Sequence, residues 1–175
     1  RQLAAGLADV TYRMRFKLIS LGGGSVSLLK LRTATGTSLV RLFLGTTGKL
    51  ALRNDVTAVT ATGPTTILPS RWYAAEVRVV VAGTASTVEV RLDGTRIAAL
   101  SSTQSLGTTP VGRVQLGDDA TGKTSDIAYD EVVVDAPPAG GTATVSGTAA
   151  PGETLTADHG TWFGTEPMSY AYRWQ

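Results

Sequence analysis

Cysteine is absent from this chain, which excludes disulfides, thiolate metal centres and cysteine nucleophiles. The absence does not argue against export, because a sandwich of ordinary size holds together without cross-links. A single histidine, His159, speaks against a histidine-rich metal site or a Ser-His-Asp triad in the main body of the chain. Charge of one sign is scarce as well. Lys and Arg number 16 against 14 Asp and Glu, a net of +2, so bulk charge gives a nucleic-acid partner little support. No apolar run approaches the roughly 20 residues of a membrane helix, and no segment sustains a helical period. Arg1 stands first in place of a methionine, and Trp174-Gln175 breaks off inside a strand-like run. Both ends are therefore expected to be cut, leaving open a lost leader or anchor.

The residues present suit a turn-rich β protein. Hydrophobic residues make up 42% of 175, enough for a core, with 20 glycines and many threonines. Val10 to Leu18 is the cleanest strand: Val10, Tyr12, Met14, Phe16 and Leu18 fall on one face, and Thr11, Arg13, Arg15 and Lys17 on the other. Val77, Val79 and Val81 alternate in the same way, as do Val88, Val90 and Leu92, and Asp93-Gly94 ends the second run. Asp-Gly between such runs signals a hairpin whose two central residues take positive φ. Short strands are also expected at Val26 to Arg32, Ser38 to Gly45, Lys49 to Arg53, Val111 to Leu116 and Asp126 to Val134. A weaker one is expected at Val56 to Ala61, and Thr95 to Leu100 is expected as a third short strand after the hairpin. Gly63-Pro64 to Pro69 is expected to be a loop, since prolines do not sit in a central strand. Ser101 to Thr109 reads as a polar connection. The expected fold class is all-β, a two-sheet antiparallel sandwich.

Several blocks in this run resemble a known group. Trp72-Tyr73-Ala74-Ala75-Glu76-Val77-Arg78-Val79, Val88-Glu89-Val90-Arg91-Leu92-Asp93-Gly94, Val114-Gln115-Leu116-Gly117-Asp118 and Tyr129-Asp130-Glu131-Val132-Val133-Val134-Asp135 are similar to the laminin-G-like, concanavalin-type jelly rolls of bacterial secreted and surface proteins. The resemblance covers residues 5–136 and implies a jelly-roll binding module, often for glycans or surface polymers. Pro137-Pro138-Ala139-Gly140-Gly141 reads as a linker. Beyond it, Gly152-Glu153-Thr154-Leu155-Thr156-Ala157, Gly160-Thr161-Trp162 and Tyr170-Ala171-Tyr172-Arg173-Trp174 resemble the start of an immunoglobulin-like repeat of bacterial surface proteins. This partial β segment, residues 142–175, is expected to add little to the stability of the first domain, with Trp162, Tyr170, Tyr172 and Trp174 left exposed.

Gly117-Asp118-Asp119-Ala120-Thr121-Gly122-Lys123-Thr124 matches the phosphate-loop pattern letter for letter. Phosphate binding also needs a helix that begins at the Lys-Thr end, so that amides and dipole meet the phosphate. The residues that follow, Ser125 to Val134, read as a strand, and two aspartates inside the loop would repel phosphate. No nucleotide is expected. Asp118, Asp119, Asp126 and Asp130 could converge on calcium, which takes several carboxylate and carbonyl oxygens; their plain alternative is turn formation. No other cofactor is expected.

Glycoside hydrolysis needs two carboxylates flanking one bond. Glu76 and Glu89 are isolated among apolar and basic neighbours, and Asp130 and Glu131 point to opposite faces. No strand carries the Glu-x-Asp-x-x-Glu arrangement of concanavalin-type glucanases. The chain is therefore read as not an enzyme. The candidate ligand-binding residues are Arg13, Arg15, Lys17, Arg41, Arg78 and Arg91, together with Trp72. On one sheet face they could meet sulfated or carboxylated glycans, as in some laminin-G-like domains. The alternative is a solvated face with Glu76 and Glu89 as cross-strand partners, and Trp72 packed at the sandwich edge. Two functions follow: an extracellular or cell-surface binding module for carbohydrate or a surface polymer, or a structural spacer or adhesin domain without a ligand of its own.

Overall fold

The computed structural model describes residues 1–137, 139–163, 169, 171 and 173. Two units divide the chain, Arg1–Val134 and Asp135–Gln175. In the first, the strands are β1 (Gln2–Leu7), β2 (Asp9–Ser20), β3 (Val26–Arg32), β4 (Ser38–Leu44), β5 (Lys49–Asn54) and β6 (Thr60–Thr66). They continue as β7 (Trp72–Val80), β8 (Ser86–Leu92), β9 (Thr95–Arg96), β10 (Ser102–Gln104), β11 (Val111–Leu116) and β12 (Asp126–Asp135). A six-stranded sheet has the order β1-β11-β3-β4-β5-β6, and the second sheet runs β10-β8-β7-β2-β12, with β9 paired to β8. All the described pairings are antiparallel. The fold is an all-β jelly-roll sandwich.

Alternation decides which side chains meet between the sheets. Val10, Tyr12, Met14, Phe16 and Leu18 of β2, and Tyr73, Ala75, Val77 and Val79 of β7, form one wall of the core. Leu29, Leu31, Val40, Leu42, Leu44, Leu50 and Leu52 form the other. Asp93 and Gly94 adopt φ of 49° and 78°, the paired positive values that the Asp-Gly hairpin requires.

Three expectations are corrected. Val56 to Ala61 is not a strand along its length. Asn54 Oδ1 accepts the N–H groups of Val56 (2.9 Å) and Thr57 (3.1 Å), and this side-chain turn replaces strand pairing there. Gly63-Pro64 lies inside β6 rather than in a loop. β6 is an edge strand, where the N–H that proline lacks is not needed for pairing, and a register shift relaxes its pairing with β5. Gly63 itself is buried; a Cβ there would stand 3.2 Å from the Leu50 carbonyl oxygen and 3.3 Å from Leu100. Of Thr95 to Leu100 only Thr95–Arg96 is strand, because Ala98–Leu100 makes a 3₁₀ turn that drops Leu100 into the core. The polar connection after it contains β10, and Gln2–Leu7 adds a strand at the start of the chain.

The second unit holds β13 (Ala139–Gly140), β14 (Thr144–Gly147), β15 (Leu155–Asp158) and β16 (Trp162–Phe163). β14 pairs with β15 and β13 with β16, so Ala139–Gly140, inside the expected linker, form a short strand. Tyr170, Tyr172 and Trp174 lie outside the described residues. Among the described residues no helix is long and apolar enough to cross a membrane.

Candidate functional site

The outward faces of the two sheets differ in how their charges are paired. On the second sheet the registers Lys17↔Trp72, Arg13↔Glu76, Thr11↔Arg78, Glu76↔Arg91 and Arg78↔Glu89 put Arg13, Arg15, Lys17, Trp72, Arg78 and Arg91 on one face. Their charges are answered across the strands. Arg78 makes two hydrogen bonds to Asp9, at 2.7 and 3.0 Å, which raise its pKa further. Glu76 lies 3.8 Å from both Arg13 and Arg91, Glu89 accepts from Arg91 at 2.7 Å, and Arg15 reaches Glu131 at 3.3 Å. Trp72 sits beneath Arg15 and Lys17, 5.5 and 5.1 Å from its ring centre. The aromatic ring thus already carries two cations. Beside this face, Arg78, Thr87, Glu89, Arg96 and Ser102 line a depression of about 410 Å³.

Arg41 does not belong to this set. It lies on β4 of the other sheet, because side-chain period identifies a face within a strand but not the sheet that holds the strand. There the registers Gln115↔Lys30, Lys30↔Arg41, Arg41↔Arg53 and Arg53↔Thr60 align a row of side chains across five strands. A second row runs Gln2↔Arg113↔Arg32↔Ser38. Five cations, Lys30, Arg32, Arg41, Arg53 and Arg113, share this face with three carboxylates, Asp55, Asp118 and Asp119. Phe43 lies on the same face, with Arg41 5.7 Å from its ring centre.

This face is partly covered at β3. Lys30 is only 7% exposed although it points away from the core, and Arg32 keeps 18% of its side-chain surface. Arg78 on the opposite sheet keeps 54%. The wall over β3 is the segment after β11. Asp118 accepts the Ser27 N–H at 2.8 Å and the Ala120 N–H at 2.9 Å, Asp119 bonds Lys30 and reaches Arg32 at 2.6 Å, and Lys123 donates to the Ser25 carbonyl. Partial burial pushes the Asp118 carboxyl up, but those two N–H groups and Lys30 outweigh it and the net direction is down. The bond from Lys30 holds Asp119 at about 2. A carboxyl lowered in the folded state stabilises above its unfolded pKa, near 3.9, and loses that contribution as pH falls through the folded value. The Asp119 contact therefore persists from neutral pH down to strong acid.

Asp55 anchors the other end of the row. It accepts from Ser38 at 2.6 Å and Arg53 at 3.0 Å, and stands 3.3 Å from Arg41 Nε. That Arg41 Nε is buried without a hydrogen-bond partner among the described residues. Arg113 bonds Gln2 and the Ala34 carbonyl rather than a carboxylate.

The four aspartates expected to converge on calcium are not brought together. Asp118 and Asp119 are committed to the wall, Asp130 accepts the N–H of Glu131, and Asp126 is exposed at the start of β12. Among the described residues no group of three or more histidines or carboxylates is placed to hold a metal. The phosphate-loop match joins β11 to β12, and no helix begins at Lys123. Lys123→Ala should leave stability within about 0.5 kcal/mol of the parent, and ATP should not raise the melting temperature of either protein. Thermal denaturation with and without ATP checks both.

No protein-family model matches this chain, and no curated protein matches it in sequence. Solved structures do share its fold. A Trypanosoma rangeli sialidase matches with a TM-score of 0.58 at 16% identity, over 72% of this chain and 20% of the sialidase. This chain thus spans a fifth of that enzyme. Endo-beta-1,4-glucuronan lyase from Trichoderma reesei matches with a TM-score of 0.56 at 14% identity, over 78% of this chain and 71% of the lyase. Carbohydrate-binding module CBM66 from Bacillus subtilis matches with a TM-score of 0.53 at 13% identity, over 76% and 78%. The expectation that the chain is not an enzyme is thereby corrected: chains of this fold include sialidases and a lyase, so a missing glucanase motif does not settle the question.

Proposed function

We propose that the Arg1–Val134 unit is a carbohydrate-binding module of an extracellular or cell-surface multidomain protein. The cation-rich face of the six-stranded sheet carries this reading, because charged donors aligned across the strands beside an aromatic side chain suit the hydroxyls and the ring face of a sugar. The fold supports it by analogy: one structure that shares it is a carbohydrate-binding module, and another is an enzyme named for a glucuronan. The laminin-G-like resemblance of residues 5–136 points the same way. The second unit is read as the start of an immunoglobulin-like repeat, with β14 and β15 as its first hairpin.

A spacer or adhesin role is the alternative, favoured by the self-paired charges on the outer face of the second sheet. A screen of the chain against immobilised glycans, with and without calcium, separates the two. Retention on at least one glycan, reversed by the soluble sugar, is the expected result. A screen with no retention on any glycan would leave the spacer reading.

A further inference from the structure

We infer that the outer face of the six-stranded sheet takes an acidic polysaccharide, a polymer of uronic acid residues laid across the strands over Lys30, Arg41 and Arg53, and that Asp119 is an internal carboxylate which this ligand displaces. The inference rests on the carbohydrate reading above and names its ligand class and its site.

Charge is the first argument. The five cations outnumber the carboxylates Asp55, Asp118 and Asp119: Asp55 and Asp119 are each shared between two cations and Arg113 bonds no carboxylate, whereas on the opposite face Arg78 has Asp9 to itself. The cation pairs are spaced to seat a carboxylate. The bound groups are both carboxylates: Asp55 between Arg53 and Arg41, and Asp119 between Lys30 and Arg32. Spacing argues for a polymer. Adjacent strands lie about 4.8 Å apart, near the length of one pyranose residue, so a chain crossing β3, β4 and β5 meets a new cation at each strand. Lys30 lies beneath Asp119, so a ligand carboxylate reaches it only where Asp119 gives way. Phe43, beside Arg41, offers an apolar ring to the face of a sugar.

The two internal carboxylates differ in how firmly they are held. Asp55 keeps 16% of its side-chain surface, and its own N–H is bonded to the Leu39 carbonyl, so it is part of the frame. Asp119 keeps 53% and belongs to the loop between β11 and β12. Withdrawing it alone would strand a buried ammonium; a ligand carboxylate arriving in its place does not. Asp119 therefore fills the Lys30 subsite when the ligand is absent and competes with it when present.

Affinity electrophoresis through gels containing polygalacturonate, neutral dextran or dextran sulfate tests this, with melting temperatures recorded for each variant. Polygalacturonate should retard the chain, less so as ionic strength rises, and dextran should not. Asp119→Asn should bind polygalacturonate several-fold more tightly. Arg41→Gln removes a guanidinium that stands 3.3 Å from Asp55 and 5.7 Å from the Phe43 ring centre, so its melting temperature is the check on folding; the folded variant should bind about tenfold more weakly, the loss of one charge-assisted hydrogen bond. Arg78→Gln, on the opposite face, should bind as the parent does. An Asp119→Asn variant with parental melting behaviour and no gain in affinity overturns displacement. Retardation by dextran alone, or by dextran sulfate alone, overturns the uronate assignment and leaves the carbohydrate reading standing. No retardation by any of the three, joined to no retention on immobilised glycans, overturns both.

Discussion

Phe16→Ala is expected to lower folding stability by about 3–5 kcal/mol, the range for emptying a packed aromatic site. Phe16 is fully buried near the middle of β2, which lies between β7 and β12, so neighbouring strands cannot easily close over the gap. Its cross-strand partner is Tyr73, stacked at 5.6 Å between ring centres, and the Tyr73 hydroxyl oxygen accepts the Leu68 N–H at 3.0 Å. The substitution therefore unseats a ring that also holds the loop between β6 and β7. Urea denaturation of the parent, Phe16→Ala and Phe16→Leu measures the effect, with the leucine variant expected to lose about 1.5 kcal/mol or less. Similar losses for the two variants would mean that the strands relax around the site and the cavity argument fails.

Asn54→Ala is expected to cost about 2–4 kcal/mol, from several buried hydrogen bonds lost together. Asn54 is 2% exposed. Its amide donates to Gln104 Oε1 at 2.9 Å and to the Ser105 carbonyl at 2.8 Å, while its oxygen accepts the N–H groups of Val56 and Thr57. One side chain thus joins β5 of the six-stranded sheet to the end of β10 in the other and also shapes the turn before β6. A depression of about 220 Å³, lined by Asn54, Thr57 and Gln104 among others, lets water replace part of what is lost, which sets the lower end of the range. Hydrogen exchange should quicken at the Val56 and Thr57 amides while the centre of β2 stays protected. Asn54→Asp keeps the acceptor but sets a buried carboxylate oxygen against the Gln104 and Ser105 carbonyl oxygens, so its cost at neutral pH should equal or exceed that of alanine. If exchange at Val56 and Thr57 is unchanged in Asn54→Ala, the turn is held by something else.

The strands that were legible in the sequence are those whose two faces meet different surroundings. β2, β7 and β8 pack one face on the core and turn the other to solvent, so their hydrophobic pattern has a period of two. β3, expected at Val26 to Arg32 and found there, carries no such contrast, and what stayed hidden is its outward face: Ser27 and Lys30 are buried beneath the loop after β11, and its burial is almost continuous. β6 was hidden by Gly63-Pro64, since the rule against proline holds for central strands and an edge position is set by the whole sheet. The row of cations was missed for a similar reason. Arg41 is a candidate in the sequence only as one of the basic residues on the polar side of strands, but Lys30 and Arg53 hold the same place in the strands before and after it. Short turns at Ala34-Thr35-Gly36 and Thr46-Thr47-Gly48 make these three strands a meander, and a meander brings mid-strand residues into line. That alignment was the available signal. Asp119 had none, because its partners are 89 and 87 residues away in the chain.

The composition of β6 bears on how copies of this protein behave when crowded. A sheet of six strands offers its neighbours a ladder of open donors and acceptors along its rim, and such rims fuse molecules into ribbons. On the β6 rim, Gly63 weakens the strand, Pro64 withholds a donor, and the shifted register against Lys49 and Ala51 bends the line that a second strand would have to follow. A long polymer threaded across Lys30, Arg41 and Arg53 would gather many copies at high local concentration. The threonine-rich, proline-broken rim lets them line up along it as separate molecules.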